Sequence, residues 1–182
     1  DDLSGYSVSI SDNGNIVALG SPNGGTGKGQ VRIYYNNGSN WTRIDQGLYG
    51  DSNNDKFGNA VAISGDGNTL VVGAYGSSGI HGINTGKVRV FEYLNNSWIQ
   101  IGSDLTGSNQ SDFFGSSVSI SFDGNTIAIG ISGDNTGIGT NAGRAIVYQN
   151  INGVWNQIGQ HIDAEAAGDE SGYFVSLSGD GS

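Results

Sequence analysis

The chain has no cysteine, which excludes disulfides, zinc–thiolate centres and thiol nucleophiles. It has little positive charge: 7 Lys plus Arg against 17 Asp plus Glu, a formal net charge of −10. So few cations make no patch for a phosphate backbone or an anionic bilayer, so nucleic acid is not expected as a partner. The acidity reads as solubility. No apolar run approaches the roughly 18 residues of a spanning helix, so no membrane insertion is expected. There are two histidines, His81 and His161. They have no phased partner and no HxxxH spacing, and no Ser stands in a nucleophile motif. The expectation is that the chain is not an enzyme.

What the chain does have is glycine, 33 of 182 residues, without the strict triplet period of collagen. The stretch FGNAVAISGDGNTLVVG at 57–73 recurs, with copies starting at Gly5, Gly58, Gly115 and Gly172. Trp41, Trp98 and Trp155 keep a step of 57, as do the last three glycines. The first glycine interval is 53, and the missing four residues lie between Gly20 and Val31. A deletion confined to one loop is what a repeat of whole structural units produces.

Each unit reads as four strands. Strand A alternates apolar with small residues (Val8-Ser9-Ile10, Val61-Ala62-Ile63, Val118-Ser119-Ile120, Val175-Ser176-Leu177). Asn13-Gly14, Asp66-Gly67, Asp123-Gly124 and Asp180-Gly181 follow, which suggests two-residue hairpins. Strand B (16–19, 70–72, 127–129) is apolar on both faces, as for a strand inside a sheet packed between others. A Gly-rich loop leads to strand C (31–35, 87–93, 144–149), and strand D starts at the tryptophan. No helix is expected, and the loop glycines Gly24, Gly25 and Gly82 lack the context of a phosphate cradle.

Four antiparallel strands per repeat of this length match the blade of a β-propeller. The fold class is therefore all-β. Blades are expected at 1–54, 55–111 and 112–168, with 169–182 starting a fourth. Three and a fraction blades do not close a ring. The array is expected to belong to a larger propeller of about seven blades, or to be completed by further copies.

The segments FGNAVAISGDGNTLVVGAY (57–75) and FGSSVSISFDGNTIAIGIS (114–132) resemble FG-GAP repeats, which build the integrin α-chain propeller and occur in many surface proteins. The opening is Phe57-Gly58 and Phe114-Gly115, with Ser4-Gly5 and Ser171-Gly172 as variants. The close is Gly20-Ser21-Pro22, Gly73-Ala74-Tyr75 and Gly130-Ile131-Ser132. The resemblance implies an extracellular or cell-surface module for adhesion, with a protein or glycan ligand or further copies of itself as partners. The alternatives are a structural subunit of a fibre, coat or appendage, and a polysaccharide-active enzyme domain. Many integrin-type repeats carry a calcium loop between strands A and B. Here that segment, Ser64-Gly65-Asp66-Gly67-Asn68-Thr69, is one residue shorter and has one Asp. Calcium asks for six to eight oxygens, so no metal or other cofactor is expected.

The phased Asp2, Asp55, Asp112 and Asp169 are expected to accept backbone N–H bonds and fix the turn before strand A rather than to act as catalytic carboxylates. The three tryptophans are expected to fill the gaps between blades. Residues of the variable loops, Tyr49, Tyr75, His81 and Asn135, are the candidates for a ligand face. Asn37, Asn40, Asn95 and Asn109 stand in N-x-[ST] sequons.

Overall fold

A computed structural model describes residues 1–134 and 138–181. Each of the first three repeats folds into one antiparallel sheet. The first holds β1 (Ser7–Ile10), β2 (Ile16–Ser21), β3 (Gln30–Asn36) and the short β4 (Trp41–Arg43) and β5 (Leu48–Tyr49), both paired with β3. The second holds β6 (Ala60–Ile63), β7 (Thr69–Ala74), β8 (Lys87–Leu94), β9 (Ser97–Gln100) and β10 (Leu105–Thr106). The third holds β11 (Phe114–Ile120), β12 (Thr126–Ile131), β13 (Arg144–Ile151) and β14 (Val154–Asp163). Equivalent pairs keep equivalent register: Val8 faces Leu19, Val61 faces Val72 and Val118 faces Ile129. The chain is an arc of a β-propeller. Its innermost strands run β1, β6, β11, with β6 beside both of the others.

Three expectations are corrected. The loop after strand B in the first blade contains a helical turn, α1 (Gly24–Gly27), with Gly25 and Thr26 at left-handed φ of 59° and 63°. This turn lies in the loop that is four residues shorter than its counterparts. The A–B connections are not two-residue hairpins. Residues 11–15 separate β1 from β2, and only the glycine takes positive φ (Gly14, Gly67, Gly124). The loop is closed by a serine: Ser64 Oγ donates to Asp66 and accepts the Thr69 N–H at 2.9 Å. Ser121 does the same with Asp123 and Thr126. Finally, Val175–Leu177 form no ladder among the described residues. They still lean on the third blade, where the Leu177 N–H donates to Ser119 Oγ at 2.9 Å.

Two apolar layers hold the blades together. One joins Ala18, Val31 and Ile33 of the first blade to Val61, Ile63, Leu70, Val72 and Trp98 of the second. The other joins Val71, Val88 and Val90 of the second to Ile127, Ile129 and Trp155 of the third. The alternation along β7 explains this: Leu70 and Val72 face one neighbour and Val71 the other, so the whole strand is buried. Trp98 and Trp155 are 2% and 8% exposed, whereas Trp41 is 48% exposed. All three occupy the same place on their blades, but among the described residues no sheet covers the Trp41 face. Val8 and Ile10 of that face are exposed too, where Val61 and Ile63 are buried.

Hydrogen bonds fix the spacing of the blades. The carbonyls of Gly58, Gly115 and Gly172 each accept a side-chain donor from the preceding blade. Ser7 Oγ donates to Gly58 O at 2.8 Å and Ser117 Oγ to Gly172 O at 2.8 Å. Ala60 replaces the serine in the second blade, and Asn59 Nδ2 donates to Gly115 O at 3.3 Å instead. The motif glycines share φ of 82–85°, a left-handed conformation that costs a residue with Cβ about 1–2 kcal/mol.

Candidate functional site

The residue after each motif glycine opens strand A at the end where the B–C and D–A loops gather. In chain order these residues are Tyr6, Asn59, Ser116 and Tyr173. With Tyr75 and Ser132 at the ends of β7 and β12 and Phe113 from the loop before β11, they surround a cavity of about 640 Å³. Among the described residues, no charged side chain lines it.

Asn59 positions the wall of this basin. Its Oδ1 accepts the backbone N–H of Tyr75 at 3.2 Å, and its Nδ2 bridges the carbonyls of Gly115 and Ser116. In the third blade Ser116 Oγ accepts the Ser132 N–H at 3.3 Å and donates to Gly130 O at 3.2 Å. In the first blade the residue equivalent to Tyr75 is Pro22, the single proline of the chain. It has no N–H to donate, so position 6 needs no acceptor and carries a tyrosine facing the basin. The Tyr75 ring meets Phe113 edge to face, with centroids 5.9 Å apart. Burial pushes the Tyr75 hydroxyl above its ordinary pKa, and the hydroxyls of Tyr6 and Tyr173 push it further. Tyr6, Tyr75 and Tyr173 all line the basin.

Behind the basin, the phased aspartates hold the D–A loops. Asp55 Oδ2 accepts the N–H groups of Asp51 and Ser52 at 2.9 and 3.0 Å. Asp112 Oδ2 accepts those of Ser108 and Asn109 at 3.0 and 2.7 Å. Asp169 accepts that of Ala166 at 2.8 Å. Burial raises the Asp112 pKa against these bonds, and the neighbouring Asp134 carboxylate adds to the rise. Asp134 is itself buried and paired with Arg144. On β8, Lys87 and Arg89 bind both Asp51 and Asp104. Burial works to raise Asp104, but hydrogen bonds from Arg89, Lys87 and Gln100 outweigh it and hold the carboxyl at about 2.

Among the described residues, no group of three or more His, Asp or Glu stands close enough to hold a metal ion. The aspartates of the A–B turns accept bonds from their own serines and from the backbone, as in Asp66 with Ser64 and Asn68. A second cavity of about 310 Å³ opens beside these turns, between Asp66, Glu92 and Asp123.

The four ligand-face candidates separate. Tyr75 lines the basin. Tyr49 does not: its ring lies between Gly25 and Gly47, where an added Cβ would meet it at 2.6 Å in each case. His81 is exposed on the B–C loop of the second blade, away from the basin. Asn135 lies outside the described residues. Tyr6, Phe113 and Tyr173 were not singled out by sequence reasoning. A signal existed, since positions 6, 59, 116 and 173 follow the motif glycine in phase and two of them are tyrosine.

The model of the FG-GAP repeat family matches residues 50–91. Those residues are an FG-GAP repeat. They run from the D–A loop with its aspartate, through Phe57-Gly58 and the turn at Asp66, into β8. The FG-GAP repeat thus contributes Asn59 and Tyr75 to the basin. No curated protein matches the chain. Among solved structures, hydrazine synthase of Kuenenia stuttgartiensis superposes with a TM-score of 0.62 at 18% identity, over 100% of this chain and 41% of that one. Sqt1 of Saccharomyces cerevisiae does so with a TM-score of 0.57 at 14% identity, over 90% of this chain and 37% of that one. At such identities the likeness speaks for the fold alone. The chain with its FG-GAP repeat spans about two fifths of the length of these structures.

Proposed function

We propose that the chain is part of a non-catalytic β-propeller module for protein or glycan binding and adhesion, working outside the cell or on its surface. The observation that carries this reading is the uncharged aromatic basin, to which every blade sends the residue after its motif glycine. Concave sites with apolar walls and a few polar groups are the usual form of a binding site. The FG-GAP repeat supports a surface location. The non-catalytic part rests on chemistry: His81 is exposed on a loop and His161 sits on β14 beside Arg144, so neither faces the basin. Arrays of glycans and of surface proteins test the reading. It expects at least one saturable ligand, and a complete blank would contradict it.

A second reading has its own observation. The apolar face of Val8, Ile10 and Trp41 is open, although the same face of the next two blades is covered by a sheet. That face fits another blade, as in a fibre, coat or appendage built of propeller repeats. Light scattering over a concentration series tests it: growth into ordered assemblies supports this reading, and a constant monomer mass contradicts it.

A further inference from the structure

Resting on the binding reading above, we infer that the basin takes a neutral sugar unit, seated against Tyr6, Tyr75 and Tyr173. The first argument is charge. Among the described residues, the lining carries no ionisable group other than phenols, and the buried Asp55 and Asp112 are not part of it. A carboxylate or phosphate ligand finds no cation there, and an ammonium finds no anion.

The second argument is hydrogen bonding. The polar groups of the wall are largely engaged with the protein: Asn59 is used on Tyr75, Gly115 and Ser116, and Ser7 and Ser117 give their protons to Gly58 and Gly172. The hydroxyls of Tyr6, Tyr75 and Tyr173 make no hydrogen bond among the described residues. Each phenol both donates and accepts, as each sugar hydroxyl does. The third argument is shape. Aromatic rings with a polar tip offer a flat apolar face for sugar C–H groups beside a partner for sugar O–H groups. About 640 Å³ of open basin admits a short oligosaccharide.

The test uses the full chain, with neutral hexoses and N-acetylhexosamines, free and as short oligomers, titrated by saturation-transfer NMR. The expected result is saturable binding by at least one of them, weakened about tenfold or more in Tyr75→Ala, which corresponds to 1.4 kcal/mol or more. Tyr173→Ala, at an exposed position, is expected to weaken it while leaving the melting temperature unchanged. Tyr49→Ala is expected to bind like the parent chain. Binding that ignores both Tyr75→Ala and Tyr173→Ala overturns the inference. So does a basin that accepts only a peptide, in a Tyr75-dependent manner. In both cases the binding reading survives. If no sugar binds and the arrays are also blank, the binding reading falls with it.

Discussion

An added Cβ on Gly73 would lie far inside contact distance of the Gly115 carbonyl oxygen. Gly20 stands in the same relation to Gly58, and Gly130 to Gly172. The end of each B strand is thus the bearing surface for the next blade, and only a residue without a side chain lets the blades approach. Gly73→Ala is expected to cost about 1–3 kcal/mol through overpacking. That corresponds to roughly 2–4 °C of melting temperature per kcal/mol in a chain of this size. Gly79→Ala, where an added Cβ meets nothing closer than 3.9 Å, is expected to leave the melting temperature nearly unchanged. Thermal unfolding of the two variants side by side checks this.

Asn59→Ala removes one acceptor and two donor contacts at once. The Tyr75 N–H and the carbonyls of Gly115 and Ser116 lose their partner in a buried place. Such a loss costs about 1–3 kcal/mol. It is also expected to raise the mobility of the Tyr75 ring, read as faster exchange of the Tyr75 amide in hydrogen–deuterium exchange. Unchanged protection at Tyr75 would count against Asn59 as the wall that positions it.

Much of the fold was legible because phase carries it. Apolar alternation in Val61 to Ile63, the glycine closing strand B and the recurring tryptophan all follow from one packing problem solved three times. The fate of each tryptophan was not legible, because burial depends on what covers a blade and not on the blade's own residues. Trp41 and Trp98 are the same residue in the same register with opposite exposure. The A–B turn was misread because a glycine preceded by Asn or Asp suits both a two-residue hairpin and the longer loop that Ser11, Ser64 and Ser121 close. In the basin, Tyr75 was found as a variable loop aromatic. Tyr6 and Tyr173 were overlooked because they sit inside the repeat frame, where structural roles were expected.

Asp112 separates two effects of one carboxylate. Its Oδ2 holds two backbone N–H groups, while burial and Asp134 make its charge costly. Asp112→Ala is expected to destabilise by about 1–3 kcal/mol, since the two donors are left without an acceptor. Asp112→Asn keeps an acceptor and removes the repulsion, so its stability at neutral pH is expected to equal or exceed that of the parent. Urea midpoints of the two variants check the order. An amide variant as damaged as the alanine one would contradict it.

Acid unfolding should carry the mark of Asp104. Its carboxyl is held at about 2 in the folded chain, below the usual value near 3.9. Its contribution is therefore complete above about pH 4 and disappears as the pH falls through about 2. At a partly open position the gain is roughly 1 kcal/mol or less after screening. Asp104→Asn is expected to lower stability above about pH 4 by about that amount and to flatten the stability profile between about pH 4 and 2. Asp112 works in the opposite sense, because a raised carboxyl binds its proton more readily in the folded chain. A profile that Asp104→Asn leaves untouched would remove the Lys87–Arg89–Asp104 group from the account.

The central claim is that equivalent sheets lean on one another in phase, so that a neighbour and not local sequence decides what is buried. Acrylamide quenching of three variants that each keep one tryptophan, the other two changed to phenylalanine, tests it most directly in dilute solution. The account predicts strong quenching of Trp41 and weak, similar quenching of Trp98 and Trp155. Equal accessibility of all three, or protection of Trp41 with Trp98 exposed, would contradict it.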